Sequence, residues 1–526
     1  MAEFGVAARD GACPRGAPAC MLTVTSRSPA ADSILAPPRR AQRTPLLQAP
    51  DAWILVATAI VAIGCGALVA VTGINALYVS LSVVGCIFIM RDFRFGVVLL
   101  ILLLPISRSY IFPHEMFGVT GANPLNLLLL GTLGAWLLGA LGERGMENFV
   151  PRPLLWLYIV PIVIAGFLGC RHVDEIARVF YVYEMLEFDT AVGYFRDTVV
   201  KPLFLVLFAL LVAAAVRRSK SPRPFLPAAL ISVWVMTAMV LIFVFLSGAG
   251  FGAMGSSSAR TFLSPLGLHA NDLGRLYAVA YALLLFTFVG SSDKGLRLVL
   301  LASMGAVVIA LVLTFSRGAF LGFGLVNLIF LVWHRNAKTL LLLGLGTVAA
   351  FFFMPDAVLD RVMTGHGSGA NAISAGRIDK IWAPLMPELL DNPIFGSGLS
   401  SILWSDAERR GGGSFILLVT HPHNAYLRAL MDMGLVGLAL LCAYFAHVWR
   451  RFLALGSNKE LDPALAGFYK GAAAGLASFL ISGISDSALT PVPEQAFLWL
   501  AIGMMYGHSS GTAKAAAPAP APVPNP

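Results

Sequence analysis

The residues best suited to chemistry form a His-Pro-His-Asn sequence at positions 421–424, which ends a polar segment and leads directly into an apolar run. Histidine titrates near neutral pH and is therefore the usual general base in proteins. His423 is the candidate base, and His421 and Asn424 are candidate substrate contacts. Two simpler interpretations stay open. One is that His423 only caps the following helix or bonds to a loop carbonyl. The other is that the two histidines bind a metal ion, for which the sequence places no third ligand.

Two arginines in small-residue turns are candidate anion sites. Arg317 lies in a Ser-Arg-Gly turn between two apolar runs, and Arg377 follows Gly376 inside the long polar segment. A guanidinium group is permanently charged and pairs with phosphate through two parallel hydrogen bonds. The alternatives are that Arg317 only marks a membrane edge by snorkelling, and that Arg377 is a loop ion-pair partner of Asp379 or Asp391.

Several other polar residues share these segments. Arg260 and Asn271 are weaker candidates for substrate binding. His366, Arg409 and Arg410 are at least as well explained as solvated loop charges, and Asp486 and Glu494 are expected at the surface.

These residues are set in a chain whose composition is that of a membrane protein. Of the 526 residues 58% are hydrophobic and 12% charged, whereas a soluble protein carries about 25% charged residues. Apolar runs long enough to span a bilayer recur along the chain, and the short alternating segments of a membrane β-barrel are absent. The fold class is therefore all-α, a polytopic membrane protein with about 12–14 transmembrane helices and a large outward loop. The candidate spans are 51–72, 74–90, 95–107, 124–142, 153–169, 202–216, 225–246, 273–290, 296–315, 318–333, 338–354, 425–448, 464–481 and 495–508.

Lysine and arginine in the short loops predict the sidedness, because they favour the cytoplasmic side. The most basic short loop is 217–223, and alternation of the spans then places the other basic short loops and both termini on the same side. The outward segments are 108–123, 170–201, 247–272 and 355–424. The aromatic and charged residues of 170–201 indicate an amphipathic helix on the membrane surface.

The domain organisation is a helical membrane domain between two tails. Residues 1–50 are predicted to be a disordered cytoplasmic tail, 51–508 the polytopic domain, and 509–526 a disordered Ala/Pro-rich tail. The six cysteines have neither zinc-site nor disulfide spacing. The net charge of +9 is spread over short loops, so no nucleic-acid partner is expected.

Over residues 250–450 the chain resembles the O-antigen ligase and O-antigen polymerase family of bacterial envelope enzymes. Arg317 and Leu321 match the family's R-x3-L pattern. His423-Asn424, nine residues, Gly434 and Gly437 match its H-[NSQ]-x9-G-x-x-[GTY] pattern. The loop 355–424 resembles the family's periplasmic loop around Gly376-Arg377, Trp382 and the Asn-Pro-Ile-Phe-Gly-Ser-Gly stretch at 392–398. More weakly, His269-Ala270-Asn271 resembles an upstream segment of the family.

The resemblance implies a glycosyl transfer at the periplasmic face of the bacterial inner membrane. The donor would be a glycan on undecaprenyl pyrophosphate. The acceptor would be a sugar hydroxyl, on lipid A-core for a ligase or on a lipid-linked repeat unit for a polymerase. Neither a cofactor nor a metal is implied, and the partners are these lipid-linked glycans and membrane lipids. Arg317 and Arg377 would hold the pyrophosphate, His423 would act as base, and the transfer would invert the anomeric configuration.

Two other function classes stay open on the sequence alone. A transporter or flippase of a polysaccharide precursor would also be polytopic, but such folds tend to have internal repeats and charges at the membrane midplane. Here no repeat is evident and the notable charges fall at one predicted face. A scaffold of a polysaccharide export complex would tolerate loss of His423.

The predicted sidedness is tested with a reporter that is active only in the periplasm. Fused after Ser401 the reporter should be active, and fused after Lys220 it should be silent, because the two residues lie in loops of opposite predicted sidedness. The reverse pattern would overturn the orientation together with the periplasmic placement of the candidate site.

Overall fold

The computed structural model describes residues 74–107, 123–143, 149–247, 269–336, 369–409, 417–485 and 488–515, with isolated positions between them. The main helices are α1 (Ile74–Arg91), α2 (Phe93–Leu103), α3 (Pro124–Glu143), α4 (Arg152–Glu175), α5 (Ala191–Arg218), α6 (Leu226–Ser247), α7 (Ala270–Gly290), α8 (Lys294–Val312), α9 (Arg317–Trp333), α10 (Ala383–Asp391), α11 (Ala425–Gly456), α12 (Pro463–Ser482) and α13 (Ala496–Ala515). Within this part of the chain, the strands are the antiparallel pair Glu115–Met116 and Val119–Thr120.

The all-α membrane fold is confirmed. Among the described residues, eight helices are long and apolar enough to cross a membrane, and three shorter apolar helices accompany them. Helices occupy the predicted spans that the structure describes, whereas 338–354 and nearly all of 51–72 lie outside the described residues. Helix α11 ends at Gly456, eight residues past its predicted end at Val448. The prediction followed the apolar stretch, whereas the helix continues beyond that stretch through Arg450 and Arg451.

The centre of the protein is the antiparallel pair α7 and α12. Gly467, Gly471 and Gly475 recur every four residues along α12, and each lies against the backbone of α7. A Cβ at Gly467 or Gly471 would collide with that backbone. Small residues at this spacing let two membrane helices approach closely where no hydrophobic force drives them together. The packing places the start of α7 beside the end of α12.

Helix α11 is broken at Gly434, and the break is filled by the loop segment 392–398. Ser397 and Gly398 donate backbone hydrogen bonds to the carbonyls of Met431 and Asp432, at 2.9 and 3.0 Å. On the other side of the break, the N–H groups of Leu435 and Val436 donate to the carbonyls of Pro393 and Ile394, at 2.9 and 3.1 Å. Irregular backbone at membrane depth is tolerated where protein satisfies its polar groups.

Side chains strengthen this junction. Asp432 is buried, and its Oδ1 accepts hydrogen bonds from the backbone N–H and the hydroxyl of Ser401, each at 3.0 Å. The backbone N–H of Leu399 donates to the carbonyl of Ala165, and the Tyr194 hydroxyl donates to the Leu399 carbonyl. The loop is therefore fastened to α4, α5 and α11.

The prediction of an amphipathic surface helix over 170–201 is wrong. The segment contains a 3-10 turn (Cys170–Glu175) and a single helical turn (Val179–Val182), and α5 begins at Ala191 rather than at 202. The reason is that its aromatic side chains pack inward: Phe180 and Tyr194 are fully buried.

Gly434→Ala should destabilise the protein strongly. The backbone of Gly434 has φ 64° and ψ −169°, a region almost confined to glycine, where strain costs roughly 1–3 kcal/mol. A Cβ would in addition collide with the backbone of Ile394 and Phe395. The matched control is Gly324→Ala, a helical glycine with open space around it, which should be neutral or slightly stabilising. Equal melting temperatures of the two detergent-purified variants would contradict the docking of 392–398 in the break.

Candidate functional site

The three segments that carry the candidate residues meet at the C-terminal end of α12, residues 480–485. The backbone N–H of Ala425 donates to the carbonyl of Gly483 at 2.8 Å, and the Tyr426 hydroxyl donates to the carbonyl of Leu480 at 2.8 Å. The last carbonyls of a helix have no partner within the helix and must be satisfied from outside. These two bonds fasten the start of α11 to the end of α12.

His423 stands immediately before this junction in a constrained backbone. Its φ is +53°, a left-handed conformation that is uncommon for residues with a Cβ and that often marks functional sites. The preceding carbonyl, of Pro422, accepts a hydrogen bond from the indole of Trp382 at 2.8 Å. The imidazole is half-buried, with its centroid 4.2 Å from that of His421. The structure therefore brings the two predicted histidines together.

Asn424 is the N-cap of α11. Its Oδ1 accepts hydrogen bonds from the backbone N–H groups of Tyr426 and Leu427, both at 3.0 Å. The capping role considered for His423 thus belongs to Asn424, since the cap oxygen satisfies N–H groups of the first helical turn. Because Oδ1 serves as the cap, the candidate substrate contact of Asn424 would be made by its amide nitrogen.

Arg317 is the first residue of α9, and its turn packs on the same end of α12. Ser316 is the N-cap of α9. The hydroxyl of Ser482 donates to the carbonyl of Gly318 at 2.9 Å, and the Cα of Gly318 faces Ser485 so closely that a Cβ would crowd its hydroxyl. Arg317 itself is half-buried. Helix N-termini carry partial positive charge, so the arginine and the start of α9 both favour an anion here.

Arg377 reaches the same place from the long loop. A tight turn precedes it, with positive φ at Ala375 and Gly376, and its Nη1 donates a hydrogen bond to the carbonyl of Ser485. This bond orients the guanidinium group at the negative end of α12. Asp379, which the sequence offered as an ion-pair partner, accepts a hydrogen bond from the Asn371 amide at 2.6 Å.

Asn271 lies on the first turn of α7, at the same end of the protein. His269 is the N-cap of α7, and its Nδ1 accepts from the N–H of Asn271 at 3.3 Å. One turn later, Gly274 packs against the turn that contains Ser316. Arg260 lies outside the described residues, so its predicted role stays a prediction.

The expectation that Glu494 is a surface residue is wrong. Glu494 is 7% exposed, and its Oε1 lies 3.0 Å from Nη2 of Arg275, which is 4% exposed. The same guanidinium nitrogen lies 2.6 Å from Oδ1 of Asp272. A buried carboxylate needs a cationic partner, and Arg275 supplies it. This pair could not be predicted from the sequence, because the two residues are far apart in the chain and Arg275 lies in an apolar run.

Glu408 is buried and contacts the segment that precedes the histidines. It is 1% exposed, and its Oε1 accepts from the backbone N–H of Val419 at 3.4 Å. Burial raises the pKa of the Glu408 carboxyl to about 8, so this group keeps its proton at neutral pH. In the same loop segment, the hydroxyl of Thr420 lies 3.2 Å from Nδ1 of His421.

The sequence did not identify the end of α12, which joins these parts. Its contribution is made mainly through backbone carbonyls, for which no side-chain motif exists. Its residues are small and polar, Ser482, Gly483 and Ser485, and they resemble an ordinary helix end. Within the described residues, no group of three His, Cys, Asp or Glu side chains is placed to hold a metal ion.

The region that carries these residues is similar to known proteins. Residues 298–442 match the family model described as O-antigen ligase. The chain is 26% identical over 229 residues to a protein of Rickettsia conorii provisionally named a polysaccharide ligase. This alignment covers 41% of this chain and 52% of the relative. A similarly named protein of Rickettsia typhi is 26% identical over 223 residues, covering 41% of this chain and 53% of the relative.

The chain thus spans about half the length of the curated relatives it matches. The matched family region contains Arg317, Arg377, His423, Gly434 and Gly437. The resemblance seen in the sequence motifs is therefore confirmed for residues 298–442, which match the O-antigen ligase family model.

Proposed function

We propose that the protein acts in surface polysaccharide biosynthesis as a membrane glycosyltransferase. It transfers a glycan from undecaprenyl pyrophosphate to a sugar hydroxyl at the periplasmic face of the inner membrane. The observation that carries this proposal is the attachment of three segments, bearing Arg317, Arg377 and His423, to one helix end. The match of residues 298–442 to the O-antigen ligase family model and the ligase names of the relatives support the reaction class.

The two arginines would hold the pyrophosphate of the donor. Pyrophosphate is a polyanion, and it gains negative charge as the bond to the sugar breaks. Fixed guanidinium groups stabilise such charge without reorganising. Electrostatic stabilisation of this kind is usually the largest single contribution to the rate acceleration by an enzyme. Arg317 adds its charge to the N-terminus of α9, and the hydrogen bond to Ser485 restrains Arg377. The Arg377 guanidinium is thus oriented before the donor arrives.

His423 would accept the proton of the attacking hydroxyl. As the acceptor oxygen bonds to the anomeric carbon, the bond from that carbon to the pyrophosphate oxygen breaks, and the hydroxyl proton passes to the neutral imidazole. Undecaprenyl pyrophosphate leaves as the anion. A single displacement of this kind inverts the anomeric configuration. The left-handed backbone at His423 and the bonds on both sides of it would hold the imidazole in place.

The acceptor distinguishes a ligase from a polymerase within this proposal. A ligase uses a hydroxyl of lipid A-core, and a polymerase uses a lipid-linked repeat unit. His421, Asn424, Asn271 and Arg260 are the candidate contacts for these sugars. Incubation of the purified protein with the lipid-linked donor and each acceptor in turn would separate the two activities.

Arg317→Lys and Arg377→Lys should each lower turnover at least tenfold while the protein level in the membrane stays normal. Lysine keeps the charge but loses the planar fork, and a charge-assisted hydrogen bond is worth roughly 1.5–3 kcal/mol. The control is Arg450→Lys, an exposed arginine on α11. If lysine serves as well as arginine at both positions, two-point phosphate binding is the wrong account. Loss of activity with a chelator would instead point to a metal at His421 and His423.

His423→Asn should reduce turnover by roughly 10²–10⁴, the usual contribution of a general base. Asparagine tolerates the left-handed backbone better than alanine does, so the variant removes the base with little strain. His447→Asn, near the other end of α11, is the control of the same residue type. Near-normal turnover of His423→Asn would remove the base role. A product that retains the donor's anomeric configuration would remove the single displacement.

A further inference from the structure

Helix α10 of the long loop presents an apolar face to the outside of the protein. Leu385 packs inward and is fully buried, whereas Met386 and Leu390, one turn apart, are exposed. The chain that follows the helix continues this face with Ile394 and Phe395, and Leu390 and Phe395 are 79% and 66% exposed. A contiguous exposed apolar surface marks a contact with another protein or with a membrane.

The exposed side of α10 is also uncharged along the body of the helix. Residues 383–395 contain two charged side chains, Glu388 and Asp391. Glu388 is half-buried, and its Oε1 accepts a hydrogen bond from the backbone N–H of Asp406 at 2.6 Å, so this carboxyl group is turned toward the protein. Asp391 is the last residue of the helix. The helix therefore directs its charge inward and its apolar side chains outward.

The same apolar surface continues onto helix α11. The backbone N–H groups of Leu435 and Val436 donate to the carbonyls of Pro393 and Ile394, so the end of the apolar face of the loop lies directly beside α11. Leu435 and Val436 are themselves exposed. Helix α11 is long and apolar enough to cross a membrane, and exposed apolar side chains on such a helix face lipid tails, which are as apolar as leucine.

The depth of this junction in the bilayer follows from the charges near the other end of α11. Arg450 and Arg451 are exposed, and they lie at a membrane surface because a charge within the hydrocarbon is costly. Helix α11 is regular from Leu435 onward. The steps from residue 435 to residue 450 correspond to roughly 22 Å at 1.5 Å per residue, whereas the hydrocarbon core is about 30 Å thick. Leu435 and the loop residues bonded beside it therefore lie within the hydrocarbon.

We propose that α10 and the residues after it form a membrane-binding surface, with Met386, Leu390, Ile394 and Phe395 inserted among the acyl chains of the leaflet opposite Arg450. The occupant of this surface is bilayer lipid rather than a second copy of the chain, because the surface continues the lipid-facing side of α11 at a depth where hydrocarbon surrounds the protein. Helices that lie in a membrane interface bury their apolar face about 5–10 Å into the boundary of the acyl chains.

This surface is linked to the segments that carry the candidate residues. Trp382 directly precedes α10, and its indole N–H donates to the carbonyl of Pro422, next to His423, at 2.8 Å. Arg377 lies six residues before the start of the helix at Ala383. Insertion of α10 in the bilayer therefore holds both segments close to the membrane surface. The inference rests on exposure and depth alone and does not depend on the proposed transfer reaction.

The experiment is fluorescence quenching of the full chain in phosphatidylcholine proteoliposomes. Leu390→Cys and Phe395→Cys are made in a background without the native cysteines, and each single cysteine is labelled with the environment-sensitive dye NBD. Both residues are exposed, so the label needs no space in the core. A variant that keeps only Cys442, an exposed residue of α11, is the control for lipid contact. Asp189→Cys, at an exposed position of the segment 170–201, is the control for contact with water.

The labels at positions 390 and 395 should emit at shorter wavelength than the label at position 189. They should be quenched by doxyl-labelled phosphatidylcholine, as the label on Cys442 is, and they should be protected from aqueous iodide. Iodide quenching at either site as strong as that at position 189 would place the surface in water and overturn the proposal. Protection of either site from both quenchers would show that protein covers the surface, as in contact with a second copy of the chain, and would overturn the assignment to lipid.

Discussion

The structure of the candidate site depends on the backbone carbonyls at the end of α12. A helix end inside a membrane protein must have its polar groups satisfied, because hydrocarbon offers no hydrogen bonds. Here the partners are the N–H of Ala425, the hydroxyl of Tyr426 and the guanidinium of Arg377. The requirement for hydrogen-bond partners thus brings two candidate segments together, and the packing of Gly318 on Ser485 adds the third.

Close backbone approach is the second constraint, and it explains the motif glycines. Gly434 permits the break in α11 that receives the loop 392–398, and Gly437 leaves no room for a Cβ beside Met433. The loop that carries Arg377 is consequently anchored to the helix that follows His423. The glycine stripe of α12 acts in the same way at the centre, because it positions the end of α12 beside the starts of α7 and α9.

The sequence predicted the helical segments well, because they depend on local signals. Long apolar runs identify spans, and the pattern from His423 to Gly437 carries the resemblance to the O-antigen ligase family. The inward packing of Tyr194 and the pair of Arg275 with Glu494 could not be predicted, since each depends on a partner distant in the chain. The role of Ser485 was also hidden, because its carbonyl, a group that every residue carries, makes the contact with Arg377.

The candidate site requires that the Arg317 turn lie on the end of α12, at the residue that Arg377 also contacts. An ideal Cβ at Gly318 would lie 3.9 Å from the Cβ of Ser485, close to the mean of about 3.8 Å in disulfides. The direct measurement is mass spectrometry of Gly318→Cys/Ser485→Cys in a background without the native cysteines, after mild oxidation in the membrane. We expect a disulfide-linked peptide pair for this variant and none for Gly318→Cys/Ser457→Cys, whose second residue follows the far end of α11. Free thiols in the first variant, or equal cross-linking of both, would contradict it.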